Sequence, residues 1–328
     1  MKLPSLVLND SGLEKYWTVI QQRLRKAILK EAELTNRRQL SDIANGYLFY
    51  GLHKYADKWV FREWAPNADE IYLIGDFSRW LPDKKYLLKR TGNGNWEIEL
   101  PLDVLKHGDL YKLYVKWDEG TGERLPAYAR KVIQDPISKI FSAQVWQPEK
   151  PYKWKSKRPQ QVKNPLIYEA HVGMSSEKAE VATFDYFRLN VLPHIAKGGY
   201  NAIQLMAIQE HPYYGSFGYQ VSNFFAVSSR FGTPDDLKKL IDAAHKLGIA
   251  VVLDIVHSHS VRNESEGLSR FDGSYDLYFH SGERGMHPVW NSRLFNYGKD
   301  ETLLFLLSNC KFWLDEYRFD GFRFDGVT

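Results

Sequence analysis

The sequence predicts a protein of several domains: a helical N-terminal extension, a small β-sandwich, and then the first half of a (β/α)8 barrel. Three observations predict this order. Charged and apolar residues mix at helical spacing near the N-terminus, short aromatic-rich runs separated by turn residues follow, and strands alternate with helices from residue 164 onward. Alternation of this last kind is typical of a parallel sheet covered by helices.

The helical extension is expected over residues 1–45. Trp17, Ile20, Leu24 and Ile28 recur every three or four residues, and no Gly or Pro interrupts them. Apolar residues at this spacing lie on one face of a helix. The segment is therefore expected to be helical.

The β-sandwich is expected over residues 46–145. Its apolar runs are short and rich in aromatic and β-branched residues, at 47–52, 58–64, 70–75, 95–100 and 111–117. Turn residues separate them, notably Gly92-Asn93-Gly94 and Glu119-Gly120. Several short strands at close spacing favour two packed antiparallel sheets.

Residues 146–163 are rich in Pro and Lys and are expected to form a linker. Residues 164–328 then alternate between strands and helices. The strands are expected at 165–172, 202–208, 249–256 and 321–325, and the helices at 184–198, 233–247 and 301–317. Four strand–helix units are half of a (β/α)8 barrel, in which catalytic residues lie at the C-terminal ends of the strands.

Composition excludes several classes of protein. Lys and Arg total 44 against 40 Asp and Glu, for a net charge of +4, and they are scattered, so a nucleic-acid-binding stripe is not expected. No run of 18 apolar residues predicts a membrane span, and the charged N-terminus argues against a signal peptide. A single cysteine, Cys310, fits a reducing compartment, so we expect the cytoplasm.

The aromatic content points towards carbohydrate. Trp, Tyr and Phe make up 15% of the chain, with 10 Trp, 20 Tyr and 18 Phe. Aromatic side chains fill cores first, but the flat faces of exposed rings also stack on the apolar faces of sugar rings.

Asp254 and His259 come at the C-terminal end of the third predicted barrel strand. Asp254 interrupts an apolar run, so its burial requires a hydrogen-bonding partner. Taken alone, the two residues are equally compatible with a structural polar pair, and a metal site is the weakest alternative because no His-x-x-x-His helix accompanies them.

Arg323 and Asp325 stand at the end of the fourth strand, which is expected to be buried. Because side chains alternate along a strand, both point to the same face. A guanidinium beside a carboxylate favours the ionised acid. An ionised, hydrogen-bonded Asp is what a carboxylate nucleophile for sugar chemistry requires.

Together these two segments resemble the first two signature segments of the α-amylase superfamily (glycoside hydrolase family thirteen), on the correct successive strands. Further stretches look like those of its glucan branching enzymes, at 168–173, 217–221, 231–237, 257–260, 287–295 and 316–321. Trp64-Ala65-Pro66-Asn67-Ala68 and 75–80 are similar to the glycogen-binding module that precedes such barrels. The resemblance covers about residues 45–328.

The resemblance implies a retaining mechanism in which Asp325 is the nucleophile and Arg323 keeps it ionised and oriented. Asp254 and His259 would bind hydroxyls of the reacting glucose, and Tyr219 would stack or hydrogen-bond there. Trp290 would contact the donor chain, with core packing as its alternative. The acceptor would be a glucan 6-hydroxyl, which gives an α-1,6 branch, and the chemistry requires no cofactor.

In the module, the resemblance implies glucan contacts for four residues. Trp80 and Trp64 would stack on glucose, with packing inside the sandwich as the alternative for both. Asn93 and Asn95 would hydrogen-bond sugar hydroxyls, although turn formation alone explains them. The implied partner is an α-glucan such as glycogen, amylose or a starch-like polymer.

The family's acid/base Glu and a later His-Asp pair are expected beyond Thr328, so the chain is expected to be an N-terminal fragment that is inactive by itself. A four-strand sheet is also expected to leave an unpaired edge and exposed apolar surface. Two alternatives remain: an α-1,4/1,6-glucan hydrolase of the same superfamily, and a non-catalytic glucan-binding protein.

Overall fold

The structure is a computed structural model that describes residues 9–160 and 162–327. Its N-terminal part consists of a 3₁₀ turn, Ser11–Tyr16, and three helices: α1, Trp17–Thr35; α2, Leu40–Ile43; and α3, Gly46–Phe49. Helix α1 ends at Asn36, whose left-handed backbone (φ 47°) stops the helix. The predicted helical extension is confirmed here, and residues 1–8 lie outside the described residues.

Two antiparallel sheets form the predicted β-sandwich. Their strands are β1, Gly51–Lys54; β2, Trp59–Trp64; β3, Glu70–Gly75; β4, Lys89–Gly92; β5, Asn95–Leu100; β6, Leu110–Trp117; β7, Gly120–Arg124; β8, Val132–Gln134; and β9, Phe141–Gln144. One sheet has the order β1-β2-β5-β4 and the other β3-β6-β9-β8, with β7 also paired to β6. Phe61, Leu73 and Leu113 are fully buried in the core.

The segment expected to be a linker contains neither helix nor strand over 146–160, yet it packs against the rest of the chain. The carboxylate of Asp242 accepts hydrogen bonds from the Tyr152 hydroxyl (2.8 Å) and from the backbone N–H groups of Lys155 (2.9 Å) and Ser156 (2.8 Å). The segment is thus fixed in place by side-chain contacts. Gln161 lies outside the described residues.

The C-terminal half is an α/β unit. Its strands are β10, Ile167–Ala170; β11, Ala202–Leu205; β12, Gln209–Glu210; β13, Asn223–Val227; β14, Ala250–Val256; β15, His259–Val261; β16, Met286–His287; β17, Ser292–Leu294; and β18, Gly321–Asp325. Its helices are α4 (Phe184–Tyr186, a π-helical turn at Phe187–Val191, and Leu192–Lys197), α5, Pro234–Lys246, and α6, Asp300–Glu316. Strands β10-β11-β14-β18 form one parallel sheet in that order, as the half-barrel prediction requires.

The start of α5 shows how the sequence places its elements. The Thr233 hydroxyl accepts a hydrogen bond from the Asp236 N–H (3.2 Å), and the Asp236 carboxylate accepts one from the Thr233 N–H (3.0 Å). This reciprocal cap, with Pro234 in the first turn, begins the helix where the sequence predicts it.

The long insert between β14 and α6 carries β15, β16 and β17 and contacts the sandwich. The Asp272 carboxylate accepts from the backbone N–H (3.0 Å) and side-chain amide (2.9 Å) of Asn67. The Arg124 guanidinium donates to the Arg270 carbonyl (2.8 Å), and Leu125 N–H to the Ser265 carbonyl (3.1 Å). The sandwich is therefore joined to the barrel half by direct hydrogen bonds.

One expectation about β18 is wrong. The strand was predicted to be buried, but Phe324 is 44% exposed, and the Arg323 side chain is 42% exposed. The physical reason is that β18 pairs with β14 along one edge only, within the described residues. Among those residues, no helix is both long enough and apolar enough to cross a lipid bilayer.

Candidate active site

The candidate active site lies where β14 and β18 run side by side. Their parallel register places Asp254 opposite Arg323 and Val256 opposite Asp325. The Arg323 Nη1 donates to both carboxylate oxygens of Asp254, at 2.9 and 2.8 Å, and lies 2.6 Å from Oδ1 of Asp325. The structure thus brings together three of the residues singled out in the sequence, with the guanidinium as the bridge.

The two carboxylates differ in their surroundings. Asp254 has no exposed surface, whereas the Asp325 side chain is 24% exposed. Burial raises the pKa of Asp254, while hydrogen bonds from Arg323 and Tyr219 oppose that rise. The hydrogen bond to Asp254 raises the pKa of Arg323, so the guanidinium remains charged.

Tyr219 is held at both ends beside Asp254. Its hydroxyl donates to Oδ2 of Asp254 at 2.8 Å, and its backbone carbonyl lies 2.9 Å from Nε2 of His259. Burial is the main cause that raises the pKa of Tyr219, so the phenol stays protonated and able to donate. The Tyr219 hydroxyl is thus bonded to Asp254 in this structure, and its predicted contact with glucose stays a prediction.

His259 uses both ring nitrogens within the protein. Because a carbonyl oxygen can only accept, Nε2 carries the proton given to Tyr219, and Nδ1 accepts from the Ser258 hydroxyl at 2.9 Å. Burial lowers the pKa of His259, which favours this neutral form. His259 thus fixes the position of Tyr219, and its predicted contact with a glucose hydroxyl stays a prediction that would require the Ser258 bond to move.

Trp290 lies on the rim of a cleft of about 510 Å³ that Ser258, Tyr297 and Gly326 also line. Its indole stacks on the His287 ring, with ring centroids 4.0 Å apart and planes 9° apart, and leaves 39% of the residue exposed. This exposure argues against the alternative that Trp290 is a core residue. The ring lies next to Gly326, the residue that follows Asp325.

A second group of polar side chains lies beside the site. Its central residue, Asn309, was not predicted from the sequence. The Asn309 Oδ1 lies 3.0 Å from Nε2 of His257, and its Nδ2 donates to the Phe224 carbonyl at 2.7 Å. Burial lowers the pKa of the His257 imidazole to about 4, so it stays neutral. A lone Asn within the apolar helix α6 was the available signal, since a buried amide needs partners.

The module residues fall into two places. Trp64 packs its ring against Tyr278 (5.4 Å between centroids) and donates from Nε1 to the Asn93 carbonyl at 3.1 Å, while Oδ1 of Asn95 accepts from Tyr50 at 2.7 Å. Trp64 therefore lies where the sandwich meets the barrel half, and Asn93 and Asn95 are its neighbours within the sandwich. Trp64 is half-buried there, so part of its surface already has a protein partner.

Trp80 lies elsewhere, after β3 in the other sheet. Its backbone is left-handed (φ 60°), as is that of Arg79 (φ 54°), and its indole N–H donates to Oδ1 of Asp76 at 2.8 Å. This turn displays a half-buried ring at the surface. Over residues 9–160 and 162–327, no cluster of three or more His, Cys, Asp or Glu side chains is arranged to hold a metal ion.

Comparison with known proteins agrees with this architecture. Residues 49–138 match carbohydrate-binding module 48 (isoamylase N-terminal domain), and residues 189–296 match the alpha amylase catalytic domain. The chain is therefore similar to this module and to part of an alpha amylase catalytic domain. Its two domain matches follow the order of the β-sandwich and the parallel sheet in the structure.

The similar proteins share one name, and this chain covers a similar share of each. The chain is similar to a 1,4-alpha-glucan-branching enzyme of Dictyostelium discoideum, with 46% identity over 98% of this chain and 48% of that enzyme. It is 50% identical to one of Yarrowia lipolytica over 88% of this chain and 43% of that enzyme. A crystal structure described as an alpha amylase from Salmonella typhimurium superposes with a TM-score of 0.68 at 25% identity, over 85% of this chain and 44% of that one. The chain spans about half the length of the curated relatives that it matches.

Proposed function

We propose that this chain is part of a 1,4-α-glucan branching enzyme, in which Asp325 is the nucleophile. The observation that carries the proposal is the single guanidinium of Arg323, which contacts the partly exposed Asp325 and the buried Asp254 at the ends of adjacent parallel strands. Strand ends of this kind are where barrel enzymes place their chemistry. The identity of 45–50% to named branching enzymes supports the same activity over its alternatives.

In the first step, a carboxylate oxygen of Asp325 forms a bond to the anomeric carbon of an α-1,4-linked glucose, and the bond to the leaving 4-oxygen breaks. The leaving oxygen takes a proton from a general acid. Arg323 orients the carboxylate of Asp325, because a charge-assisted hydrogen bond at 2.6 Å is geometrically specific.

In the second step, the 6-hydroxyl of an acceptor glucan attacks the same carbon, releases Asp325 and gives its proton to the same acid/base group. Two displacements retain the α configuration, so the product is an α-1,6 branch. We expect that acid/base group to be a Glu in the part of the relatives that this chain does not span, roughly 5–5.5 Å from the nucleophile.

The substrate is proposed to be an α-glucan. Trp290 offers a stacking face for the donor chain, and Trp80, Trp64, Asn93 and Asn95 offer contacts in the module. Because Asp254 is fully buried, we propose that it positions Arg323 and Tyr219 and does not itself touch glucose. We retain the domain division 1–45, 46–145, 146–163 and 164–328, and a cytoplasmic location, as parts of this proposal.

The test is product analysis with the protein at its natural length. Amylose is incubated with the parent protein, with Asp325→Asn, and with the control Asp276→Asn, whose carboxylate pairs with Lys299 in the insert. Nuclear magnetic resonance then counts new α-1,6 linkages, and a reducing-sugar assay counts free ends. New linkages without new reducing ends, lost only in Asp325→Asn, are expected.

Two outcomes would contradict the proposal. Reducing ends without α-1,6 linkages would identify a hydrolase. Glucan binding with neither product would identify a non-catalytic binding protein.

A further inference from the structure

A groove away from the Asp325 site runs along the segment 146–154, and we name it the linker groove. It consists of two adjoining clefts, of about 350 Å³ and 170 Å³, that share Arg130, Trp146 and Gln147. The larger cleft lies against α5 and α6, and the smaller one against β1 and β2 of the sandwich. The linker groove shares no lining residue with the cleft that holds Trp290.

The lining of the larger cleft combines flat rings with charges of both signs. Trp146 and Trp154 both line this cleft and are half-buried. Charged groups face the same space, namely Arg130 and Lys238 with Asp235 and Glu316. Lys238 and Glu316 form an ion pair with each other.

This balance of charge selects the class of ligand. In the larger cleft an anion would meet the two carboxylates, and a cation would meet the two basic groups, so neither gains net electrostatic attraction there. A neutral chain with many hydroxyl groups gains hydrogen bonds from both signs and stacks on the rings. An oligosaccharide has these properties, because it is neutral, carries many hydroxyl groups and stacks on aromatic rings.

The walls of the groove are formed before any ligand arrives. The guanidinium of Arg318 lies 4.7 Å from the centroid of the Trp154 ring, and Asp242 holds the neighbouring Tyr152, Lys155 and Ser156 through three hydrogen bonds. A preformed wall does not lose side-chain freedom on binding, which favours affinity.

We propose that the linker groove is a second binding site for a linear α-glucan chain, separate from the Asp325 site and from the four predicted module residues. The ligand class rests on the proposed function, whereas the position of the site rests on the groove itself. Such a site would hold one stretch of a long polymer while another stretch reacts, so it raises the effective concentration of substrate.

The experiment is hydroxyl-radical footprinting of the protein at its natural length, with and without maltoheptaose, read by mass spectrometry. Oxidation of Trp146 and Trp154 is expected to fall with saturation as maltoheptaose is added, while oxidation of the exposed Tyr16 stays constant as the internal control. Cellohexaose, which has β-1,4 linkages and a different chain shape, is expected to protect neither Trp.

Two variants separate this proposal from the proposed function. Asp235→Asn removes one charged acceptor from the groove and is expected to raise the maltoheptaose concentration needed for half-protection about tenfold. Asp325→Asn is expected to leave that concentration unchanged while branching is lost.

Unchanged oxidation of Trp146 and Trp154 at maltoheptaose concentrations that saturate turnover would overturn the linker groove without affecting the Asp325 proposal. Protection that Asp235→Asn does not weaken, in a variant with unaltered thermal unfolding, would overturn it as well.

Discussion

Strands β14 and β18 are neighbours in one parallel sheet, yet they present their acids differently. Strand β14 is buried along nearly its whole length and leaves Asp254 without exposed surface. Strand β18 is half-exposed, and its Asp325 keeps 24% of its side chain open. The same guanidinium contacts both acids.

This difference in exposure suggests different roles for Asp254 and Asp325. A buried acid that already accepts from Arg323 and Tyr219 is suited to hold those groups in place. A partly open acid with one strong cationic contact is suited to attack a substrate. We therefore expect substitutions at Asp325 to change activity with little change in stability, and substitutions at Asp254 to change both.

The largest expected effect is on the activity of Asp325→Asn. An amide of the same shape cannot act as the nucleophile, so the rate of branching is expected to fall on the order of 10⁴-fold, as when other covalent catalytic groups are removed. The midpoint of thermal unfolding is expected to stay close to that of the parent. Both are measured on the natural-length protein, and a rate within tenfold of the parent would rule out Asp325 as the nucleophile.

The next effect is on the stability of Asp254→Ala. Removing the buried member of a paired set leaves Arg323 without its main partner and opens a polar cavity, so the free energy of unfolding is expected to fall by about 3 kcal/mol. Asp325→Ala is the matched control and is expected to lose less than about 1 kcal/mol. Equal losses in denaturant titrations would remove the distinction between the two acids.

The sequence predicted that Arg323 and Asp325 lie together, but it did not predict that Asp254 and Asp325 differ in exposure. Alternation along β18 was enough to place Arg323 and Asp325 on one face, because the side-chain period of a strand is fixed. The exposure of β18 was predicted wrongly, since burial depends on what lies beside a strand. The local sequence pattern of β18 does not show which element lies beside the strand.

The supporting contacts were harder still to predict. The pairing of His257 with Asn309 joins residues 52 positions apart, and the contact of Asn67 with Asp272 spans 205 positions. Such contacts follow from how the elements pack, which periodicity within one element does not specify. The segment 146–163 was predicted as a linker from its composition, and its binding to Asp242 likewise depends on a distant helix.

The module supplies a third acid that sharpens the comparison. Glu63 is as buried as Asp254, but its hydrogen bonds come from the backbone N–H groups of Trp64 (3.0 Å) and Ala127 (2.9 Å). Burial raises the pKa of Glu63 to about 7. Between the ordinary pKa of a glutamate and pH 7, the folded protein therefore binds more protons than the unfolded chain. The free energy of unfolding thus falls as the pH rises through this range.

Glu63→Gln is expected to remove this dependence, which amounts to about 2 kcal/mol between pH 5 and pH 7. The measurement is the free energy of unfolding of parent and variant at several pH values in that range. Parallel curves for the two proteins would show that Glu63 does not titrate there.

The smallest expected effect concerns the hydroxyl of Tyr219. Tyr219→Phe removes one donor from the buried Asp254 and is expected to lower the free energy of unfolding by about 1 kcal/mol, while Arg323 still satisfies the carboxylate. Tyr47→Phe is the matched control, because its hydroxyl also donates at 2.8 Å to a carboxylate, that of Asp315 in α6. If Asp254 positions the catalytic groups, only Tyr219→Phe should also reduce the branching rate. A reduced rate in both variants, or in neither, would mean that the link between Tyr219 and Asp254 contributes to the fold and not to the alignment of Arg323.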